Sequence, residues 1–163
     1  MGDLLTNEPV LSRIHSQCIN GESFFSMRCD CRYQLTESLT QIAEKGRGVV
    51  FYLQQEGRGI GLSNKIRAYN LQDKGFDTVE ANHQLGFKED ERGYGIVSDM
   101  INFLGIKTVD LMTNNPKKRT GLIGYGLEII ENVAIEVAHN EHNEAYLKAK
   151  KDKLGHSLKM GGK

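Results

Sequence analysis

Apolar residues are grouped along the chain in runs that have the length and spacing of strands. The run "GVVFYL" (48–53) is continuous, β-branched and aromatic, which predicts a buried strand. The segments "PVLSRIHS" (9–16) and "TVDLMT" (108–113) predict two more strands. Further along, "LEIIENVAIEV" (127–137) predicts one strand or a pair of strands.

Helical spacing appears between these runs. Within 34–46, Leu35, Leu39 and Ile42 recur every three or four residues, and Gly46 can end the helix. Further helices are predicted at 64–75, 94–105, 114–126 and 140–156. Strands that alternate with helices indicate the α/β class. We expect a single domain over 1–163, with a mixed β-sheet flanked by helices, because the length is near that of one domain.

Composition and charge narrow the functional classes. The 21 basic and 21 acidic residues balance, so no surface for nucleic acid or anionic membrane is indicated. No apolar run has the length of a membrane span, and the start "MGDLLTNEPV" lacks a basic segment followed by an apolar one. These features predict a soluble, cytoplasmic protein without nucleic-acid or membrane partners.

All three cysteines of the chain fall between residues 18 and 31, as Cys18, Cys29 and Cys31. An odd number of clustered thiols in a reducing compartment argues against a disulfide framework. A catalytic zinc ion takes three protein ligands and keeps a fourth position for water, which this set could supply. Buried cysteines with only a packing role, or redox-active thiols, are the alternatives that the spacing leaves open.

Two loops carry candidate binding groups. In "QQEGRGIG" (54–61), the glycines allow close approach to a ligand, Arg58 can pair with phosphate and Glu56 can accept two hydrogen bonds. The alternative is a tight turn with a surface arginine. The long polar segment 75–95 is predicted to be a loop. A loop of this kind could carry functional residues, and the candidates here are Thr78, Glu80, His83, Asp90 and Arg92. The alternative is a run of charged residues that is simply exposed to solvent.

Several motifs in order together resemble the GTP cyclohydrolase II family. They are "RIHSQC", "CDC", "QEGRGIGL", "KIRAY", "DTVEAN", an "LGF…D.R.Y" pattern and "TNNPKK", and the resemblance runs from about residue 9 to 156. It implies an enzyme of riboflavin synthesis that opens the imidazole ring of GTP. The implied products are formate, pyrophosphate and a diaminopyrimidinone ribosylamino 5′-phosphate. The implied cofactors are one zinc ion per chain and Mg²⁺ with the triphosphate, and the implied assembly is a homodimer. Family members commonly carry several strands before the first strand seen here, where only a few residues precede it.

The resemblance also implies roles for individual residues. Cys18, Cys29 and Cys31 match zinc ligands, Asp90 a proton acceptor, Arg92 a proposed nucleophile and Tyr69 a tyrosine near the reacting ring. Positions that match GTP-binding residues are Arg13, Ile14, His15, Ser16, Gln17, Gln34, Glu56, Gly57, Arg58, Thr78, Thr113 and Lys118.

Physical chemistry refines two of these roles. A guanidinium stays protonated and has no lone pair for attack, so stabilisation of charge on the α-phosphate is the simpler role for Arg92. Three thiolates outweigh the charge of one zinc ion, so nearby donors should compensate, with Arg28, Arg32 or His15 as candidates. Two other readings of the chain stay open. One is a variant enzyme that stops at the ring-opened formamide, and the other is a catalytically silent protein that binds zinc and guanine nucleotide.

Overall fold

The computed structural model describes residues 1–123, 127–135 and 142–154, and it has the predicted α/β fold. Four strands form one sheet in the order β2-β1-β3-β4. The strands are β1 (Val10–Ser16), β2 (Val49–Leu53), β3 (Thr108–Met112) and β4 (Glu128–Val133). The strand expected at 127–137 is therefore β4, while residues 136 and 137 lie outside the described ranges.

The prediction of a mixed sheet was wrong for the described residues, because all three strand pairings are parallel. The physical reason is the connections. At least one helix stands between each pair of consecutive strands, so the chain returns to the same end of the sheet before the next strand begins. Parallel strands also place all their carboxyl ends along one edge of the sheet, where ligands bind in open α/β folds.

The helices predicted from apolar spacing are confirmed, with shifted ends. The α-helices are α1 (Ile19–Glu22), α2 (Cys31–Lys45), α3 (Gly61–Gln72), α4 (Thr78–Gln84), α5 (Gly95–Phe103), α6 (Pro116–Ile123) and α7 (Glu144–Leu154), and a short 3₁₀ turn spans Glu56–Gly59. Gly46 follows α2 in the left-handed conformation, with φ of 71°, as expected of a helix stop. Residues 124–126, 140–141 and 155–156 of the predicted helices lie outside the described ranges. Within those ranges, no helix combines the length and apolar character needed to cross a membrane.

The prediction of an irregular loop over 75–95 missed α4. The Asp77 side chain accepts hydrogen bonds from the backbone N–H groups of Val79 and Glu80, and the Glu80 side chain accepts one from the Asp77 N–H. This reciprocal capping box satisfies donors that the first turn of a helix otherwise leaves open. The pattern D-x-x-E at 77–80 was therefore a helix start signal in a segment that looked like a polar connection.

The main core lies on one face of the sheet. Its centre is formed by β1 and β3, whose side chains are buried from Val10 to His15 and from Val109 to Met112. The opposite face has a smaller cluster of Leu11, Ile42 and Met112. Burial on both faces explains the continuous apolar character of these strands and fixes their carboxyl ends as a rigid platform. The buried members of the main cluster are Val10, Ile14, Phe51, Leu53, Val97, Ile101, Ile106, Val109, Leu111, Leu122 and Leu127.

Candidate active site

A cavity lies at the carboxyl ends of the three adjacent strands β1, β2 and β3. Its walls come from the segments 16–18, 56–58 and 113–115, which lie at or shortly after the ends of these strands, together with residues of α2, α3 and α4. The structure thus brings together motifs that are separated by nearly a hundred positions in the sequence. The predicted site residues that line the cavity are Arg13, His15, Ser16, Gln17, Cys18, Cys29, Cys31, Gln34, Glu56, Gly57, Arg58, Tyr69, Thr78, Arg92, Thr113 and Lys118.

Two predicted residues occupy other positions. The Ile14 side chain belongs to the main core, while its carbonyl oxygen accepts a hydrogen bond from Lys118 Nζ at 2.9 Å. Asp90 does not line the cavity but pairs with Arg92, which does. Both residues therefore support neighbours that do line the cavity.

The three thiols converge in this cavity. Their Sγ atoms all lie within 4.8 Å of one another, and those of Cys18 and Cys29 are 3.6 Å apart. Sulfur atoms that share a tetrahedral zinc ion are about 3.8 Å apart, because each Zn–S bond is about 2.3 Å. A disulfide bond would need about 2.05 Å, and the three cysteines are free. The donor set is compatible with a three-thiolate metal site.

Gly21 in α1 gives the sulfur atoms the space they need. A Cβ atom at this position would lie 2.8 Å from Cys29 Sγ and 3.4 Å from Cys18 Sγ. The first distance is well inside van der Waals contact, so any larger residue would push the thiols apart. The glycine of "CINGE" is thus required by a close approach and not by an unusual backbone angle.

The thiols do not share one acidity. Contact with Cys29 and Cys31, followed by the charge and hydrogen bond of Lys65, holds the pKa of Cys18 far below that of a free thiol. The contact with Cys18 in turn raises the pKa of Cys29 and of Cys31. Cysteine metal ligands bind as thiolates, and the Lys65 ammonium beside Cys18 favours that form.

Lys65 is a functional candidate that the sequence reasoning missed. Its Nζ donates to Cys18 Sγ at 3.0 Å and to Glu56 Oε1 at 2.7 Å, and the residue is 9% exposed. Burial lowers the pKa of Lys65, but Tyr69, Cys18 and Glu56 together raise it above its ordinary value, so the ammonium form persists. One signal was present in the sequence, because Lys65 precedes Tyr69 by four positions and both project from the same side of a helix.

Glu56 is held at the cavity wall by several donors. Its Oε2 accepts from the Ile19 backbone N–H at 2.7 Å, and its Oε1 accepts from Lys65 and, at 3.0 Å, from the Gly57 N–H. A carboxylate offers about four acceptor positions. These three contacts leave about one position for a ligand, fewer than the two that the sequence reasoning assigned to Glu56.

Gln34 is fixed between two charged residues. Its Oε1 accepts from Arg13 at 2.6 Å, and its Nε2 donates to Asp30 Oδ2 at 2.5 Å. Arg13 also donates to the Met112 carbonyl at 2.8 Å, and burial lowers the pKa of Arg13 to about 10. The amide orientation of Gln34 is thus determined, and one N–H and one acceptor position remain for a ligand.

The first cysteine is positioned by the half-buried carboxylate of Glu22. Glu22 accepts from the Cys18 backbone N–H at 2.9 Å, pairs with His15 Nε2 at 2.8 Å and accepts from the Tyr52 hydroxyl. Burial lowers the pKa of His15 to about 4, so the ring is neutral at pH 7. Its Nδ1 is buried without a hydrogen-bond partner in the part of the chain that the structure describes.

The donors expected to compensate the thiolate charge interact elsewhere. Arg28 pairs with Asp73 at 2.9 Å and lies 4.5 Å from the Tyr69 ring centroid. Arg32 lies over the rings of Phe25 and Tyr33, and His15 pairs with Glu22. Among the described residues, Lys65 is the cation that contacts Cys18 instead. Other polar residues that line the cavity but were not predicted are Gln72, Asn82, Asn114 and Asn115.

The sequence of the chain matches a known protein family. The family model described as GTP cyclohydrolase II matches residues 1–134. The chain is 56% identical over 157 residues to a GTP cyclohydrolase-2 of Shewanella amazonensis, covering 96% of this chain and 77% of that protein. For a GTP cyclohydrolase-2 of Shigella boydii the identity is 55%, covering 96% and 80%.

A longer relative is also similar. The riboflavin biosynthesis protein RibBA of Chlorobium phaeovibrioides is 59% identical over 157 residues, which cover 96% of this chain. The chain spans only 38% of the length of that protein.

Proposed function

The chain belongs to the GTP cyclohydrolase II family of enzymes, and from this membership we propose that it catalyses the ring opening of GTP for riboflavin synthesis. The reaction would release formate and pyrophosphate and leave a diaminopyrimidinone ribosylamino 5′-phosphate. The observation that carries the proposal is the direct connection between the thiol cluster and Glu56. Lys65 bonds to both Cys18 and Glu56, and the Ile19 N–H, next in sequence to Cys18, bonds to Glu56 as well.

We assign one zinc ion per chain to Cys18, Cys29 and Cys31. The sulfur separations and the burial of Cys18 and Cys29 support this assignment. When bound, zinc supplies Lewis acidity that makes water nucleophilic near neutral pH, as an attack on C8 of guanine requires. All three cysteines line the cavity, where they would hold the ion, and Glu22 fixes the loop through the Cys18 N–H.

Glu56 and Gln34 are assigned to recognition of the guanine base. Guanine presents an N–H donor and an exocyclic amine where adenine presents an acceptor. The remaining acceptor position on Glu56 suits such a donor, and the remaining N–H of Gln34 suits a ring acceptor or the carbonyl. A nucleotide that presents an acceptor at this point, as adenine does, would place a lone pair against the Glu56 carboxylate, which is a basis for rejection.

Further basic and hydroxyl groups that line the cavity are assigned to the triphosphate. They are Arg58, Thr78, Arg92, Thr113 and Lys118, with the segment 13–17 contributing its cavity-facing part. Mg²⁺ would accompany the triphosphate, as it does for nucleotide substrates in general. Arg58 has a φ of 59°, which is unusual for a residue with a side chain, and such backbone conformations are often found at functional sites.

Tyr69 is assigned to the reacting ring. Arg28 lies 4.5 Å and Lys65 Nζ 5.8 Å from its ring centroid, so two cations hold this side chain at the cavity wall. A phenol in such a position can donate a hydrogen bond to a ring nitrogen as the C–N bond breaks.

The family also implies a homodimer, which sedimentation of the purified protein at several concentrations would test.

The test of the function is a metal assay of the purified protein, followed by incubation with GTP and Mg²⁺ and mass spectrometry of the products. We expect one zinc per chain, formate, pyrophosphate and the diaminopyrimidinone. Accumulation of the formamide would identify a variant that keeps the formyl group. Zinc and GTP binding without any product would identify a silent paralogue, and either result would contradict the proposed reaction.

A further inference from the structure

Lys65 occupies the junction between two parts of the site that act on different groups. The residue lies in the second turn of α3, and its ammonium reaches Cys18 Sγ at 3.0 Å and Glu56 Oε1 at 2.7 Å. A lysine is rarely buried unless it is paired, and here the side chain is only 11% exposed. Its two partners are a thiol of the cluster and the carboxylate assigned to the base.

With a divalent ion bound at the three thiolates, the groups around the Lys65 ammonium carry a net negative charge. Three thiolates exceed the charge of one divalent ion by one negative charge, and Glu56 adds a second. Lys65 offsets one of these two charges. A positive charge that touches both anions stabilises each of them in a poorly solvated cavity, where unpaired charges are costly.

We infer that Lys65 is a positioning residue for the metal site, which sets the donor strength of the Cys18 thiolate through an N–H···S hydrogen bond and holds Glu56 beside it. This inference rests on the proposed function for its metal. An N–H donor withdraws electron density from a thiolate and so weakens its donation to a metal, while the positive charge favours the anionic complex as a whole.

The alternative is a structural ion pair between Lys65 and Glu56 that touches Cys18 incidentally. The two possibilities differ in what they predict for a metal bound at the thiols. A structural pair affects stability, whereas an N–H···S bond affects the electronic state of the sulfur. Co²⁺ is a suitable probe, because it takes zinc sites and its thiolate-to-metal charge-transfer absorption moves to lower energy as the thiolate becomes more electron-rich.

The experiment compares the Co²⁺ spectra and the Zn²⁺ affinities of Lys65→Met and wild-type protein, with affinity measured by competition against a chelator. We expect the charge-transfer band of Lys65→Met to move to lower energy and its zinc affinity to fall about 10- to 100-fold, the usual range for partners of metal ligands. Lys107→Met, which removes an exposed lysine, is the matched control and should leave both unchanged. An unshifted band with unchanged affinity in Lys65→Met would overturn the inference.

A second pair of variants keeps the test decisive if Lys65→Met fails to fold with an unpaired Glu56. The double variant Glu56→Gln/Lys65→Met removes both members of the Lys65–Glu56 ion pair, so no unpaired carboxylate remains, and Glu56→Gln alone retains the lysine. We expect the band of the double variant to lie at lower energy than that of Glu56→Gln. Coincident bands would show that the lysine acts only on Glu56 and would overturn the inference.

These measurements need no turnover, so they separate the two proposals. A shifted band in a protein that does not open GTP would refute the proposed function and leave the role of Lys65 supported. Normal GTP turnover, together with coincident bands for the double variant and Glu56→Gln, would support the proposed function and refute the role of Lys65. A wild-type protein that binds no Co²⁺ would overturn both.

Discussion

Arg92 and Asp90 form a two-pronged ion pair at the edge of the cavity. Arg92 Nε donates to Asp90 Oδ1 at 2.8 Å, and a terminal guanidinium nitrogen donates to Oδ2 at 2.5 Å. The other terminal nitrogen points to the Ser16 hydroxyl at 3.3 Å, in the wall of the cavity. A guanidinium bound in this way is held in its charged form. The pair therefore favours charge stabilisation by Arg92 over nucleophilic attack, with Asp90 as the group that orients it.

The acidity of Asp90 gives the first prediction. Burial raises its pKa, but the hydrogen bonds and charge of Arg92 outweigh burial and leave the pKa below its ordinary value of about 3.9. The contribution to stability is then complete above about pH 5 and is lost as pH falls through the folded-state pKa. We expect Asp90→Asn to lower the free energy of unfolding by about 1–3 kcal/mol at pH 7.

Urea unfolding of wild type and Asp90→Asn at a series of pH values would check this. The difference between the two proteins should stay constant down to about pH 5 and shrink below about pH 4. Asp99→Asn, which changes an exposed carboxylate, is the control. A difference that grows on acidification would mean that the folded-state pKa is raised and that the ion pair is not the dominant influence.

The metal site gives the second prediction. We expect Cys29→Ser to lose bound zinc during purification, because a serine hydroxyl is a poor ligand and two thiolates rarely hold the ion alone. Metal content by mass spectrometry would be compared with Met27→Ser, which removes an exposed sulfur two positions earlier in the same loop. One zinc per chain in Cys29→Ser would contradict the proposed ligand set.

Recognition of the base gives the third prediction. In Glu56→Gln the amide has one acceptor oxygen and presents N–H groups to the Ile19 N–H, to Lys65 or to the nucleotide. We expect GTP binding to weaken by about 1–3 kcal/mol, with little change in the binding of inorganic triphosphate. Competition assays would compare the two ligands, and Glu44→Gln on the exposed side of α2 is the control. An equal loss of binding affinity for GTP and for triphosphate would mean that Glu56 contributes to phosphate binding and not to recognition of the base.

The sequence predicted the strands and most helices well because apolar periodicity depends on local burial. The mixed sheet was wrong although the predicted alternation of strands and helices already indicated parallel pairing, because helical connections return the chain to the same end of the sheet. The helix α4 was missed because its face is largely polar, although Asp77 and Glu80 already formed a capping pattern. Most of the site residues that the motifs predicted line one cavity in the structure. Motifs do not show which contacts are already occupied, and this is why the role of Lys65 and the limited free capacity of Glu56 emerged only from the structure.

The two chemical halves of the proposed reaction act on different bonds, and mutation should separate them. Cys31→Ser should abolish formate release, because it removes a metal ligand, while slow loss of pyrophosphate can continue. Arg92→Ala removes a charge that we assign to the phosphates, and a comparable arginine is worth about 10³–10⁵ in rate in other phosphoryl transfers. We expect pyrophosphate release to fall within that range.

Whether Arg92→Ala also stops formate release depends on the order of the steps. If the α-phosphate must react first, both products disappear together, and if ring opening can come first, formate and the opened triphosphate accumulate. Separate assays of formate and pyrophosphate, with Arg67→Ala as a control for loss of an exposed arginine, would decide between these orders. Undiminished pyrophosphate release by Arg92→Ala would remove this residue from the catalytic set. Lys118, which is 6% exposed and bonded to the Ile14 carbonyl, would then be the leading phosphate contact, because its ammonium is already fixed at the cavity wall.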